Sequence, residues 1–373
     1  MATIKSALRV AAAEAGFDLC GFAAAGPPSH GEALRGWIAR GDAAGMDYLE
    51  RGLAKRLDPA LILGGVRTII SLGIRYAPPP APPFDWRREL RGRIAAYAVG
   101  RDYHDVLRKR LKGFTAALRE LVPGVGHRTY VDSGPVLERD WAAAAGIGWF
   151  GKNTNLLHRA HGSWFFLAEV LTTADIEPDG PAEEHCGTCT TCLADCPTGA
   201  LEPGYRLDAR RCISYWTIEH RGAIPEAMRE GLGNWVFGCD VCQEVCPWNE
   251  KQRPPAPPDE RYTPYLPDLL ALDDERFREH FRGSAVRRAR REGLARNVAV
   301  VLGNTGNPEA VAALGRCLSS DPSPLVRVHA AWALGRIGGD DAARELRGAR
   351  GRAGSASDGV AEAIDAALVG GSC

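Results

Sequence analysis

Cys186, Cys189, Cys192 and Cys196 run as C-x2-C-x2-C-x3-C, with Pro197 directly after. Cys212 follows alone, and Cys239, Cys242 and Cys246 close as C-x2-C-x3-C ahead of Pro247. Eight thiols with two Cys-Pro steps have the spacing of a bacterial ferredoxin that holds two 4Fe-4S clusters. Three thiolates two residues apart wrap three corners of one iron–sulfur cube. The fourth cysteine of the run cannot turn back tightly enough and reaches the other cluster. This assigns Cys186, Cys189, Cys192 and Cys246 to one cluster, and Cys196, Cys212, Cys239 and Cys242 to the other. Zinc favours two C-x2-C pairs around one tetrahedral ion, which fits three consecutive two-residue gaps poorly. Disulfides fit worse, because nothing in the sequence suggests secretion. Residues 213–238, between Cys212 and the second group, are aromatic and basic (Tyr215, Trp216, His220, Arg221, Trp235) and offer a surface for docking.

A second candidate for chemistry is Asp132. It follows a stretch read as a strand over residues 127–131 and precedes Ser133-Gly134-Pro135. An aspartate there is either a turn or cap residue or a carboxyl group delivered to a site at the strand's end. Gly146-Ile147-Gly148-Trp149-Phe150-Gly151 matches G-x-G-x-x-G. It is not a dinucleotide fingerprint, because it follows a helix pattern and Lys152-Asn153-Thr154-Asn155 opens no apolar helix. Such a turn is either a plain loop or a cradle for the polar edge of a cofactor.

The elements that must position these groups alternate between strand and helix. Ile4, Leu8, Ala11 and Ala15 share a helical face that Gly16 ends. Strands are read over residues 17–23, 66–73, 93–99 and 163–172. Asp102 is a plausible N-cap for a helix that buries Leu107, Leu111, Phe114, Leu118 and Leu121. Pro135 can open the helix that Gly146 closes. This alternation makes residues 1–180 an α/β domain. Residues 78–83 form a proline-rich loop, and Arg87, Arg88, Arg91 and Arg93 after it are read as a solvated face.

Domain boundaries follow the changes of pattern: 1–180 α/β, 181–250 ferredoxin-like, 251–283 a proline-rich connector, and 284–373 helical repeats. In the last segment LGNTGNPEAVAAL from Leu302 aligns without gaps on LGRIGGDDAAREL from Leu334, and Leu314 falls on Leu346. That is the mark of a HEAT-like helix pair. Arg287, Arg288, Arg290 and Arg291 precede the repeats and are either phosphate contacts or a solvated helix end.

The chain of 373 residues is too long for one core. Its formal net charge of zero means that any nucleic acid must bind to local basic patches. Eleven cysteines, eight of them in cluster spacing, point to a reducing compartment. The first residues carry Glu14 and no long apolar run or cleavage pattern. No signal peptide or membrane span is therefore read, and a cytoplasmic location is expected. Cys20 and Cys317 read as apolar fillers and Cys373 as a free tail thiol.

YAVGRDYH (97–104), YVDSGPVLERDWAAAAGIGWFGKNTNLL (130–157), the cysteine runs, CISYWTIEHRG (212–222) and FGCDVCQEVCPWN (237–249) together resemble the epoxyqueuosine reductases over nearly the whole chain. The resemblance implies an α/β N-terminal cobalamin-binding domain, an inserted two-cluster ferredoxin-like domain and C-terminal all-α HEAT-like repeats. It implies reduction of epoxyqueuosine to queuosine at the wobble position of tRNA, the last step of queuosine formation. It implies cobalamin, two 4Fe-4S clusters, an external low-potential electron donor, and Asp132 as proton donor. Lys55, Tyr97, Asp132, Lys152 and Ser214 fall in segments that resemble cobalamin-contacting ones, and Arg221 in a tRNA-contacting one. A corrin above Asp132 is expected to desolvate it and raise its pKa. No membrane partner is implied, and a monomer is expected.

Two other readings stay open. A corrinoid reductive dehalogenase accounts for clusters and cobalamin but not for a helical-repeat tail beside basic patches. A ferredoxin-type electron carrier leaves the N-terminal domain without a task.

Overall fold

The computed structural model describes residues 3–76, 83–250, 259–352 and 359–370. Most of the proline-rich loop at 78–83, the first residues of the connector (251–258) and Cys373 lie outside the described residues. The chain divides into two units. The first comprises Met1–Pro78, Arg101–Arg210 and Val241–Pro254, the second Pro79–Gly100, Arg211–Asp240 and Pro255–Cys373. The stretch 181–250, read from sequence as continuous, does not stay together: residues 211–240 belong to the second unit.

The first unit is built on four strands: β1 (Leu19–Ala24), β2 (Thr68–Arg75), β3 (His127–Tyr130) and β4 (Phe165–Thr172), in the order β1-β2-β4-β3. All three pairings are antiparallel. Side chains alternate between faces along a strand, so each helix finds its own set of partners. Helices α1 (Ile4–Glu14) and α2 (Tyr103–Leu121) bury Leu8, Leu107, Leu111, Phe114 and Leu118 against Phe22, Ile70, Leu72 and Val170. Each such side chain stabilises the fold by about 1.5–3 kcal/mol relative to exposure. The opposite face takes α3 (Glu138–Ala144), whose Trp141 packs with Ala23, Ile69 and Leu171. Asp102 caps α2 as expected, its side chain accepting from the His104 amide at 3.0 Å. Cys20 packs beside the first of these cores, and burial pushes its thiol up to about 12.

In the second unit the strand expected over 93–99 is only two residues long. Arg93–Ile94 pairs in parallel with Trp235–Phe237. The backbone then turns into a 3-10 helix at Ala96–Ala98, whose first amide donates to Asp240 at 2.6 Å. Two short helices, Leu266–Leu270 and Asp274–His280, occupy part of the stretch read as a connector and bury Leu266, Leu269, Leu270 and Phe277. Beyond them the repeats hold α4 (Arg290–Thr305), α5 (Val311–Ser320), α6 (Pro324–Ile337), α7 (Gly339–Arg352) and α8 (Val360–Gly370). Helix α6 packs on α4, α5 and α8. Gly303 and Gly335, which the repeat aligns, mark the helix crossings. A Cβ on Gly303 would stand 2.8 Å from the Trp332 ring, and one on Gly335 2.8 Å from Ala367. Cys317 is buried in α5, as a filler should be, and its thiol is pushed up to about 12.

Residues 213–238 pack onto α4, which reverses the docking expectation for their aromatic rings. Tyr215 and Trp216 are each 8 % exposed, and Trp235 is 3 % exposed. Two buried polar residues of α4 hold the segment. Arg296 donates to the carbonyls of Trp216 (2.7 Å), His220 (3.0 Å) and Gly222 (2.7 Å). Asn297 donates to those of Thr217 (2.9 Å) and Val236 (2.8 Å). Partners of this kind are what allow a buried guanidinium. Helix α4 is therefore buried nearly all round, and it lacks the one-sided apolar stripe of a surface helix.

Candidate active site

Strand β3 ends at Tyr130, and two residues later Asp132 sits in the left-handed region at φ 54°. Such a conformation is uncommon outside glycine, although aspartate tolerates it better than most residues, and it is often found at functional turns. The carboxylate is 62 % exposed. The Tyr103 hydroxyl donates to its Oδ2 at 2.7 Å. His104 Nε2 lies 3.5 Å from the same oxygen. His104 is oriented in turn by Asp102, whose Oδ1 is 2.8 Å from Nδ1. The N-terminal turn of α2 thus delivers an Asp102–His104–Asp132 line with Tyr103 beside it.

Electrostatics divide the acids of this recess. Crowding by the surrounding protein raises Asp132 even though its side chain reaches solvent, but the hydrogen bonds from His104 and Tyr103 and the charges of His104 and Arg139 outweigh it. Its carboxyl is held below the usual aspartate range. His104 moves the other way. Its hydrogen bond to Asp132 raises it above the ordinary histidine value, against its partial burial. Glu138, the first residue of α3, accepts the backbone N–H of Asp132 at 2.5 Å through Oε1. Burial, reinforced by the charge of Asp132, pushes Glu138 up to about 8. The sequence pointed to Asp132 but missed Tyr103, His104 and Glu138. Asp102 was legible only as a helix cap, and Tyr103, His104 and Glu138 carried no signal of their own.

Lys55 lies exposed on the short helix Leu53–Leu57. Its neighbour Arg56 donates to the Val136 carbonyl at 3.4 Å, which sets this helix beside the Asp132 turn. The buried Nε of Arg56 has no hydrogen-bond partner.

The glycine-rich turn serves the cysteine loops. Lys152 donates to the carbonyls of Gly187 (2.6 Å) and Cys189 (2.9 Å). Asn153 donates to the Cys242 carbonyl at 3.1 Å, and Asn155 Nδ2 lies 3.9 Å from Cys242 Sγ. A Cβ on Gly148 would overlap the Leu157 carbonyl, so the turn requires glycine there. Lys152, expected to contact cobalamin, is engaged on the first cysteine loop, where two backbone carbonyls face its ammonium. Cys186 and Cys246 pack with Trp149 and Trp248. Burial, with the charges of Cys246, Cys186 and Cys189, pushes Cys192 up to about 11. These four thiols therefore crowd one another electrostatically. Among the described residues no three histidine, cysteine or carboxylate side chains stand as a ligand group for a single metal ion. Cys196 and Cys242 lie in the first unit, Cys212 and Cys239 in the second.

Tyr97 and Ser214 also belong to the second unit. Tyr97 packs near Phe237, and Ser214 precedes a π-helical turn at Tyr215–Glu219. Arg221 is exposed and donates to the Ala289 carbonyl at 3.2 Å. Partial burial and the charges of Arg288 and Arg290 lower it, although Glu219 opposes them. The three arginines therefore form one positive patch, next in sequence to Arg287. Arg291 does not join them. It is 6 % exposed and forms a two-pronged pair with Asp321 at 2.6 and 2.9 Å. Helical periodicity turns this one arginine of the run inward, which removes it from the candidate phosphate contacts.

Three family models match the chain: a 4Fe-4S double cluster binding domain over residues 185–249, "Epoxyqueuosine reductase QueG, DUF1730" over 56–133, and HEAT repeats over 282–366. An epoxyqueuosine reductase of Xanthomonas campestris pv. campestris is 42% identical over 338 residues, 89% of this chain and 95% of its own. The chain belongs to the epoxyqueuosine reductase family. The Pseudomonas aeruginosa epoxyqueuosine reductase is 41% identical over 87% of this chain and 92% of its own. A crystal structure of an epoxyqueuosine reductase with an epoxyqueuosine-modified tRNA-Tyr stem loop superposes with a TM-score of 0.90 at 32% identity, covering 98% of both chains. A Bacillus subtilis epoxyqueuosine reductase, in which an aspartate-bearing catalytic loop is swung out of the active site, gives 0.88 at 32% identity over 97% of both.

As a member of this family the chain is an oxidoreductase that uses two 4Fe-4S clusters and cobalamin. The residues present fit both groups. The thiols around Cys192 supply soft donors that crowd one another, as cluster ligands do. The Asp132 turn offers an exposed carboxylate, and the helix Leu53–Leu57 set against that turn through Arg56 carries the exposed Lys55, groups able to hydrogen-bond a polar cofactor.

Proposed function

We propose that this epoxyqueuosine reductase converts epoxyqueuosine to queuosine at the wobble position of tRNA, with Asp132 as the acid that protonates the departing oxygen. The observation that carries this reading is the exposed Asp132 carboxylate, aimed by Tyr103 and His104 at the end of β3. Opening an epoxide to an alkene consumes two electrons and two protons and releases water. Cobalamin, when bound, supplies the two-electron chemistry at carbon, recharged one electron at a time by the clusters. The chain's own task is then the proton.

At rest Asp132 is ionised, because its hydrogen-bond donors outweigh its burial. The sequence expectation of a raised aspartate concerns the state with a corrin above it. The recess answers with a raised His104 on the same oxygen. Asp132 therefore acts as the last carrier of a proton that its neighbours hold. Cys186, Cys189, Cys192 and Cys246 bind one cluster, and Cys196, Cys212, Cys239 and Cys242 the other; the ferredoxin spacing supports this division.

Lys55, Tyr97, Lys152 and Ser214 are the further candidates for cobalamin contacts. Arg221, Arg287, Arg288 and Arg290 are candidates for tRNA phosphates, supported by their mutual charge and exposure. The modified base must leave its stack to react. Among the described residues no helix is long and apolar enough to cross a membrane. We place the enzyme in the cytoplasm with its tRNA, as a monomer fed by an external low-potential donor. The test is anaerobic reconstitution with iron, sulfide and cobalamin, then turnover of epoxyqueuosine-tRNA read by mass spectrometry. Cobalamin-dependent loss of one oxygen is expected, and uptake of both cofactors without that loss would overturn the reading.

A further inference from the structure

Removing the epoxide oxygen takes two electrons, and each 4Fe-4S cluster accepts one at a time from the external low-potential donor. The order in which two clusters fill follows the difference between their reduction potentials. Charge and hydrogen bonds near the sulfurs set those potentials. We propose that Lys152 helps to make the two clusters unequal: its ammonium raises the potential of the cluster held by Cys186, Cys189, Cys192 and Cys246 and leaves the other cluster unmoved. This rests on the proposed division of cluster ligands and adds a positioning and tuning role for a residue that is not a ligand.

One turn, Lys152 to Asn155, serves both cysteine groups and meets them with different charges. At the first group the Lys152 ammonium donates to the carbonyls of Gly187 at 2.6 Å and Cys189 at 2.9 Å. The second of these carbonyls belongs to a cluster ligand, so the positive charge sits against that ligand's own peptide. At the second group the turn presents neutral amides. Asn153 is buried and donates to the Cys242 carbonyl at 3.1 Å, and Asn155 Nδ2 lies 3.9 Å from Cys242 Sγ. Hydrogen bonds fix the backbone between them. Thr154 sits in the left-handed region at φ 62°, an unusual place for a β-branched residue. Its N–H donates to the Gly151 carbonyl at 2.8 Å, and the Gly151 N–H donates to the Asn155 carbonyl at 2.8 Å. Arg139 of α3 donates to the Thr154 carbonyl. A cluster gains one negative charge on reduction. A cation held beside one ligand loop favours that reduced state, and a neutral amide does so more weakly. Two of the three ammonium donors are spent on the loop, which leaves one for the cobalamin contact for which Lys152 is also a candidate.

The test is a redox titration of the full chain, reconstituted with iron and sulfide and without cobalamin, followed by electron paramagnetic resonance. Leaving cobalamin out removes any effect of Lys152 on that cofactor. Lys152→Gln keeps an N–H donor for the loop and removes the charge. At a fixed potential it should lower the reduced-to-oxidised ratio of one cluster by about four- to fifteenfold, the effect of a unit charge about 10 Å away at an effective dielectric of about 20 to 40. Tenfold corresponds to about 59 mV for one electron. The other cluster should keep its potential, and Lys152→Arg, which retains the charge, should keep both. In a Cys239→Ser chain, which retains only the first cluster, Lys152→Gln should give the whole displacement. Unmoved potentials in Lys152→Gln would overturn the proposal, as would equal displacement of both clusters or no displacement in the Cys239→Ser chain. Should Lys152→Gln lose the first cluster, Lys152→Arg must hold both clusters at their wild-type potentials, and a displaced or missing one would overturn the proposal. If wild type itself leaves epoxyqueuosine intact, the proposed function fails, and the titration still decides the role of Lys152.

Discussion

Replacing Arg291 separates structure from recognition within one arginine run. Its guanidinium and the Asp321 carboxylate are each 6 % exposed and meet through two hydrogen bonds. Removing one partner of a buried pair strands the other, at a cost of about 3–5 kcal/mol. Arg288 is different: its pair with Glu219 involves a guanidinium 54 % exposed. A pair so exposed contributes about 0.2–1 kcal/mol. RNA binding reverses the order. Each single-strand phosphate contact adds about 0.7 to the slope of log K against log salt. A fourfold rise in salt therefore weakens binding about 2.6-fold per contact, since 4 to the power 0.7 is about 2.6. Arg287→Ala, Arg288→Ala and Arg290→Ala should each remove about that factor and leave the unfolding midpoint nearly unchanged. Arg291→Ala should lower the midpoint sharply and leave the salt slope of its folded fraction intact. Denaturant unfolding and fluorescence anisotropy of a labelled anticodon stem loop measure the two effects. An Arg291→Ala protein of normal stability with a flattened salt slope would refute the reasoning.

Tyr103→Phe removes a donor from Asp132, so the depressed carboxyl should rise toward its ordinary value. The stabilisation that depends on ionised Asp132 is present above the usual carboxylate range and lost as pH falls through its lowered pKa. Carboxyl-carbon NMR titration should show that loss beginning at higher pH in the variant, and an unmoved Asp132 would count against the hydrogen bond. His329 is buried in α6, accepts from the Ile224 amide at 3.1 Å and meets the Leu325 carbonyl at 2.7 Å. Burial pushes it down to about 3. Its contribution is full above about 6.5 and fades as pH falls toward about 3, by a few kcal/mol in all. Unfolding midpoints of wild type should therefore fall from pH 7 to pH 5 more steeply than those of His329→Gln; equal slopes would refute this. Cys192→Ser and Cys239→Ser should each cost one cluster, halving iron and leaving one paramagnetic centre on reduction. Loss of both clusters from either would contradict the division of ligands.

Much of this molecule was legible before its structure. Cysteine spacing carries its own geometry, since a thiolate two residues along a turn reaches the next corner of a cube. The α2 cap and core face followed from Asp102 and the apolar steps Leu107 to Leu118, whereas Leu121, read as buried with them, is exposed at the end of the helix. The repeat glycines at 303 and 335 were visible, although not as the points where helices cross. What stayed hidden depends on contacts between segments distant in sequence. No periodicity could bring His104 to Asp132, or set Glu138 beneath the amide of the residue it supports. Four arginines in the run from 287 to 291 look alike as text. The start of α4 decides that one of them faces Asp321. The aromatic stretch 213–238 reads as an open surface until Arg296 and Asn297 are seen to collect its carbonyls.

The most direct single measurement is turnover of epoxyqueuosine-tRNA by Asp132→Asn, reconstituted with both clusters and cobalamin and compared with wild type under single-turnover conditions. Asparagine keeps the shape and the Tyr103 contact but carries no proton. Wild type should lose one oxygen from the nucleoside while the variant, with equal cofactor content and tRNA affinity, leaves the epoxide unreduced or reduces it at least about 100-fold more slowly. Equal rates would contradict the assignment of Asp132 as the acid and return it to a turn residue.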